Sequence, residues 1–183
     1  MLSKIDQICR ENVKLYHDVE YILIDDFFDP VLFDKSHNEI FLSNYTITDN
    51  SLEYHFSLSY HPLMGVLREN EKLLLTAINA TWNEKCLENK CSASILPADN
   101  IFPIHIDTHW ETVPIRGVLY LDDICGTTFH SDITGGIPIE VGGKPNQLLL
   151  FKVSNNSFHS VGLNKKEKKD RFSLSMMFDR IKS

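Results

Sequence analysis

From Ser92 onward, turn residues cut the chain into eight short apolar segments, and this spacing constrains the fold more than any other feature of the sequence. The segments are Ser92–Leu96, Ile101–Asp107, Arg116–Leu121, Thr127–Ser131, Ile137–Val141, Gln147–Phe151, Ser157–Val161 and Arg171–Phe178. Between them stand Pro97, Pro114, Asp122-Asp123, Gly126, Gly135-Gly136, Gly142-Gly143 and Asn155-Asn156. Such residues fix φ, tolerate positive φ or bond their own backbone, so they punctuate strands. Segments this short fit strands rather than helices. Eight of them predict two facing sheets, a jelly roll.

The first half has a different character. Residues 3–17 are expected to form a helix, and Tyr21-Ile22-Leu23-Ile24 a strand stopped by Asp25-Asp26. Asp29-Pro30 is a good helix start, with Asp as cap and Pro at the first helical position. That helix runs toward Leu42, with Val31, Phe33, Ile40 and Phe41 among its apolar residues. Residues 52–60 alternate loosely and are read as a strand. The strongest helix runs from Pro62 to about Lys85, with Leu63, Val66, Leu67, Leu74, Ile78 and Trp82 mostly at helical spacing. These helices are expected to cover one sheet. The 183 residues are enough for one real core. The expected organisation is a single domain over 1–183, with 1–91 as a helical and strand support region and 92–183 as the jelly-roll core.

Charge and composition narrow the partners. The formal net charge is -7, which disfavours broad attachment to nucleic acid. No segment approaches a membrane-spanning apolar run, and the N-terminus carries no apolar signal core. A cytoplasmic location is therefore the default expectation. The partner expected is a small-molecule or peptide substrate, with no membrane role and the oligomeric state left open. Cys9, Cys86, Cys91 and Cys125 include no CxxC pair, so free thiols are expected ahead of a cysteine zinc site. The basic cluster Lys165-Lys166-Glu167-Lys168-Lys169 reads as a solvated turn between strands.

Chemistry concentrates in Phe102-Pro103-Ile104-His105-Ile106-Asp107-Thr108-His109-Trp110. In a strand, residues i and i+2 share a face. His105 and Asp107 can therefore reach one metal, while Ile106 points into the opposite layer. An HxD tripeptide alone is weak, and its companions carry the reading. His159 lies in a late strand, and twelve residues later Arg171-Phe172-Ser173 places an Arg and a hydroxyl on one face. Two imidazoles and a carboxylate form the facial set that suits non-haem Fe(II). An Arg fork with a hydroxyl suits a buried carboxylate. Read singly, His105 and Asp107 also fit a hydrogen-bonded pair, His159 a capped strand residue, and Arg171 a surface ion pair with the 165–170 turn.

His105-x-Asp107, His159 and Arg171-x-Ser173, in this order, resemble the Fe(II)/2-oxoglutarate-dependent dioxygenases, and within them the prolyl 4-hydroxylase-like branch. Tyr21–Phe28 is similar to that branch's opening strand, and Tyr120-Leu121-Asp122-Asp123 to its tyrosine-bearing strand. Gly126-Thr127-Thr128-Phe129 resembles its glycine-led strand. The resemblance spans roughly residues 20–180 and is sharp over 102–178. It implies a mainly β fold with flanking α-helices, a double-stranded β-helix of cupin-like type. It implies that His105, Asp107 and His159 are the catalytic iron ligands. It also implies that Arg171, helped by Ser173 or Tyr120, binds the 2-oxoglutarate cosubstrate. Consumption of O2 and decarboxylation of 2-oxoglutarate would then drive oxidation of a substrate C–H bond. Related halogenases replace the carboxylate ligand by a small residue, so retained Asp107 favours hydroxylation. Peptidyl proline is the first substrate expected, with amino acids or small metabolites as alternatives.

One stretch departs from the branch: its usual Tyr-x-x-Gly before HxD is here Leu96-Pro97-Ala98-Asp99-Asn100. Two other readings share the jelly roll, a cupin-like metal enzyme that does not use 2-oxoglutarate and a non-catalytic metal-binding module. Of the remaining histidines, His109 has zinc-like spacing from His105 only on a helix, which Pro103 and the flanking isoleucines oppose. His109 and Trp110 are open to a substrate-side or a packing role, and His130 to a site or a structural one. His17, His37, His55 and His61 show no partner pattern. The paired glycines read as hairpin turns, since neither pair precedes a phosphate-loop helix and Lys.

Overall fold

The computed structural model describes residues 2–8, 13–42, 54–56, 62–107, 112–166 and 168–180. Eleven strands in these residues form two antiparallel sheets. The first half supplies helices α1 (Leu2–Ile8), α2 (Pro30–Leu42), α3 (Pro62–Glu69) and α4 (Glu71–Trp82), with strands β1 (Lys14–Tyr16), β2 (Val19–Ile24) and β3 (Tyr54–Phe56). The second supplies β4 (Cys86–Leu96), β5 (Phe102–His105), β6 (Ile115–Tyr120) and β7 (Thr127–His130). It continues with β8 (Pro138–Val141), β9 (Leu148–Lys152), β10 (His159–Val161) and β11 (Arg171–Arg180). The larger sheet runs β1-β2-β9-β6-β11-β4-β3 and the smaller β5-β10-β7-β8. This is the double-stranded β-helix expected of the motif order.

Period-two alternation assigns the large sheet's faces. Ile115 and Leu119 of β6, Leu148 and Leu150 of β9, and Phe172, Leu174, Met176 and Phe178 of β11 face the main core with the helices. The helices contribute Ile5, Ile8, Leu63, Leu67, Leu74, Ile78 and Trp82 to that core. The alternate residues Val118, Tyr120, Leu149 and Phe151 meet Phe129 and Val141 of the smaller sheet in a second cluster. Burial of these apolar faces is the main force holding the layers together. Arg116, Arg171, Ser173 and Ser175 line the space between the sheets, because they fall on the inward phase of the same alternation.

Four expectations need correction. The helix expected over 3–17 ends at Ile8, and Lys14–Tyr16 instead pairs with Val19–Tyr21. His17 takes φ 48° at that turn, which lets the chain reverse. The helix expected from Pro62 to Lys85 is two helices broken at Asn70. The Asn70 amide donates to the Val66 carbonyl at 2.9 Å, the competition with the helix backbone that makes Asn a poor interior residue. Asn83 then closes α4 in the left-handed conformation, φ 51°, its N–H bonded to the Asn79 carbonyl. The strand expected from Ser92 starts at Cys86, where charged Glu88 and Lys90 hide the apolar pattern. Lys90 pairs across the strands with Asp179 at 2.5 Å. Finally, β5 ends at His105, so Ile106 leaves the pleat and lines the inter-sheet cavity rather than the opposite layer.

Among the described residues no helix is long and apolar enough to cross a membrane.

Candidate metal centre

The two histidines of the motif are cross-strand partners. Antiparallel pairing of β5 and β10 sets His159 directly opposite His105, and their ring centroids lie 4.2 Å apart. Asp107 follows β5 by two residues and turns back toward them. One ligand atom from each of His105, Asp107 and His159 lies within 4.8 Å of the others. Among the described residues this is the sole cluster of three or more metal-capable side chains.

The backbone fixes which nitrogen each imidazole offers. His105 Nδ1 lies 2.9 Å from the Pro103 carbonyl, and His159 Nδ1 lies 2.8 Å from the Ser157 carbonyl. A carbonyl oxygen only accepts, so each Nδ1 carries the hydrogen. Nε2 is therefore the nitrogen that each ring can turn to a metal. Burial pushes the His159 pKa down to about 4, with His105 and Arg116 adding and Asp107 and the Ser157 carbonyl opposing. His159 is thus neutral near pH 7.

Arg116 is the residue that motif reading missed. Its Nε donates to Asp107 Oδ2 and its Nη2 to Asp107 Oδ1, both at 3.2 Å. The signal was available: Arg116 shares the inward phase of its strand with Val118 and Tyr120, and a charge on an inward phase needs a partner.

These groups line a cavity of about 390 Å³ between the sheets. Phe102, Val118, Phe151 and Val161 supply apolar wall, and Thr127, Arg171, Ser173 and Ser175 line it with polar groups. Arg171 is only 2% exposed. Its Nε donates to the Cys125 carbonyl at 3.2 Å, and its Nη1 to Ser173 Oγ at 3.3 Å. Its guanidinium carbon stands 5.2 Å from the Tyr120 ring centroid, within cation–π range. Nη2 is buried with no hydrogen-bond partner among the described residues. Arg171 is thus buried rather than at the surface, where an ion pair with the 165–170 turn would place it.

Ser173 lines the cavity beside Arg171. Tyr120, paired in register with Ser173, stands behind the guanidinium. Its hydroxyl donates to the Val141 carbonyl at 3.0 Å and lies 2.9 Å from Thr127 Oγ1. Burial pushes its pKa up to about 12, so it remains a neutral phenol. Gly142, at φ 77°, lies so close that a Cβ there would stand 2.3 Å from the Tyr120 ring.

The other sequence candidates fall elsewhere. His130 is buried, 2.8 Å from Ser160 Oγ and 3.2 Å from the Gly135 carbonyl, and does not line the cavity. His17 packs on Tyr16 and His37 on Phe33. His109, Trp110 and His61, and the side chain of His55, lie outside the described residues. Cys86, Cys91 and Cys125 are free thiols, and burial raises the pKa of each. Cys9 is outside the described residues. In the basic turn Lys166 pairs with Asp123, and Lys165 donates to the Pro97 and Ala98 carbonyls. The departing stretch 96–100 thereby packs on that turn and does not line the cavity.

No protein-family model matches the chain, and no curated protein matches it in sequence. Solved structures do match over nearly its whole length. One is a prolyl-4-hydroxylase of Pseudomonas putida, at 15% identity and TM-score 0.67, covering 97% of each chain. A second is a prolyl hydroxylase from Trichoplax adhaerens in complex with a hypoxia inducible factor oxygen degradation domain peptide fragment. It matches at 14% identity and TM-score 0.71, covering 97% of this chain and 91% of that one. A third is the non-heme α-ketoglutarate-dependent epimerase SnoN from nogalamycin biosynthesis, at 11% identity and TM-score 0.64, covering 98% and 84%.

Proposed function

We propose that this chain is an Fe(II)- and 2-oxoglutarate-dependent dioxygenase, acting as a hydroxylase. The premise is the fold it shares with prolyl 4-hydroxylases and other 2-oxoglutarate/Fe(II) oxygenases. The observation that carries the proposal is Arg171: a buried guanidinium with one unpartnered nitrogen, lining the same cavity as the His105, Asp107, His159 cluster. A buried unsatisfied donor is costly, and a dicarboxylate spanning from the triad to Arg171 would satisfy it. A metal enzyme that ignores 2-oxoglutarate gives no reason for that nitrogen.

The residues fit the groups. Two imidazoles and a carboxylate are the donor set for Fe(II) with positions left open. His105, Asp107 and His159 would hold the iron. With 2-oxoglutarate and O2, the iron supplies the oxidising power for C–H cleavage. Arg171 would grip the distal carboxylate through Nη2, with Ser173 Oγ beside it. Tyr120 backs the guanidinium and holds its orientation. The apolar walls exclude water, which strengthens these charged contacts.

Substrate is proposed by class. Peptidyl proline is the first candidate, supported by the peptide bound in the Trichoplax neighbour. Free amino acids and small metabolites are the alternatives. The test is direct: purified protein with Fe(II) should bind 2-oxoglutarate, with a visible charge-transfer band, and release succinate when the right substrate is added. Arg171→Ala should lose that binding. If native protein shows no 2-oxoglutarate binding, or Arg171→Ala retains it, the proposal fails. Mass-spectrometric detection of added oxygen separates hydroxylation from epimerisation, the activity of the third neighbour, which adds none.

A further inference from the structure

We propose that Arg116 is the positioning residue that keeps Asp107 a one-oxygen ligand, an inference that rests on the metal reading above. The two carboxylate oxygens are not equivalent. Oδ2 faces the imidazoles, 3.9 Å from His159 Nε2. Oδ1 takes the Arg116 Nη2 hydrogen bond at 3.2 Å, while Nε completes the fork on Oδ2 at 3.2 Å. This two-pronged pairing of planar groups is the strong, directional form of a charge-assisted hydrogen bond.

Asp107 needs such a partner because its own backbone does not aim it. Strand β5 stops at His105, and no ladder pairing reaches residue 107. Arg116 stands on a rigid base. It is paired on one side with Phe151 of β9 and on the other with Met177 of β11. The two side chains are 19% and 17% exposed, so their attraction is screened less than a surface pair's.

The consequence concerns open positions. Carboxylates bind metals through one oxygen or both. Of about six positions on an octahedral ion, two imidazoles and one carboxylate oxygen leave three. A chelating keto acid and O2 would together need all three. Chelation by both Asp107 oxygens would remove one of them. The Arg116 fork donates to both oxygens, so one-oxygen coordination through Oδ2 can keep the hydrogen bond on Oδ1, whereas chelation by both oxygens must displace it.

The test uses Co(II) as a redox-stable probe, titrated calorimetrically into native protein, Arg116→Met and Arg116→Lys without 2-oxoglutarate. Arg116→Met should bind Co(II) about 10- to 100-fold more weakly, the usual effect of losing a ligand's supporting partner. Its Co(II) visible spectrum should change as Asp107 turns both oxygens to the ion. Arg116→Lys should recover part of the affinity. Arg116→Gln carries the Met expectation if Arg116→Met does not fold by circular dichroism. Affinity within twofold of native, with an unchanged spectrum, overturns the inference even if melting falls, since that pattern marks a merely structural residue. If native protein binds no Co(II), the metal reading fails and the inference with it. If native protein binds Co(II) and only the Arg116 variants match it, the inference alone fails.

Discussion

His105 and His159 face one another across β5 and β10, in direct register with ring centroids 4.2 Å apart, each with its Nδ1 tied to its own strand's carbonyl. Neither ring has to rotate to present Nε2, so metal should bind the folded chain and not the unfolded one. Ligand at about 100 times its Kd stabilises a fold by about 2.7 kcal/mol. For a chain of this size that raises Tm by about 5–11 °C. Differential scanning fluorimetry with Mn(II) or Co(II) should show this rise in native protein. It should be absent in His159→Ala. An equal rise in both would place the metal elsewhere.

The sequence made the strands legible because turn chemistry punctuates them, and it made the triad legible because His105 and His159 fall on facing strands and Asp107 follows His105 by two residues. Arg171 was found because it shares a strand face with Ser173. Arg116 was not, because its inward phase calls for a partner without naming one, and Asp107 lies nine residues away beyond the end of β5. The Asn70 break was hidden by apolar spacing that continues on both sides of it, and the first half of β4 by Glu88 and Lys90, whose partner Asp179 is distant in sequence. The place of Tyr120 behind Arg171, not in the cavity wall, depends on the approach of Gly142, a contact that strand periodicity does not encode.

Arg171 combines its proposed binding role with a poorly satisfied guanidinium, so its loss should separate function from stability. Arg171→Met keeps an unbranched apolar stem and removes every donor. Truncating one partner of a buried charge pair costs about 2–5 kcal/mol in binding, so 2-oxoglutarate affinity should fall at least about 30-fold. Melting of the ligand-free protein should change little, because the native group already carries an unpaired buried donor. Isothermal titration and thermal melts on the same samples check both halves. A large melting loss with retained affinity would reverse the assignment.

Gly142 offers a test at one step's remove from the site. A Cβ there would sit 2.3 Å from the Tyr120 ring, and φ is 77°. Gly142→Ala must displace that ring and adopt a left-handed backbone, a combined cost of about 2–5 kcal/mol. Because Tyr120 backs Arg171, 2-oxoglutarate affinity should fall as well. Gly65→Ala is the control. It lies in α3 with nothing within 4 Å of the added carbon, and should be stabilising by about 0.5–1 kcal/mol. Urea denaturation of the two variants should move in opposite directions.

The buried imidazole gives the metal-free protein a pH dependence of definite sign. Burial lowers the His159 pKa from the ordinary 6.5 to about 4. Between those values the unfolded chain holds a proton that the folded chain does not, so stability rises with pH across that window. The stabilisation is present above about pH 6.5 and is lost as pH falls toward 4. Urea midpoints of metal-free protein should therefore drop more steeply from pH 7 to pH 5 in native protein than in His159→Gln, which cannot take up the proton. Parallel profiles would show that some other group carries the acid sensitivity. Metal binding should steepen the acid loss further, because the proton and the metal compete for the same Nε2 lone pair.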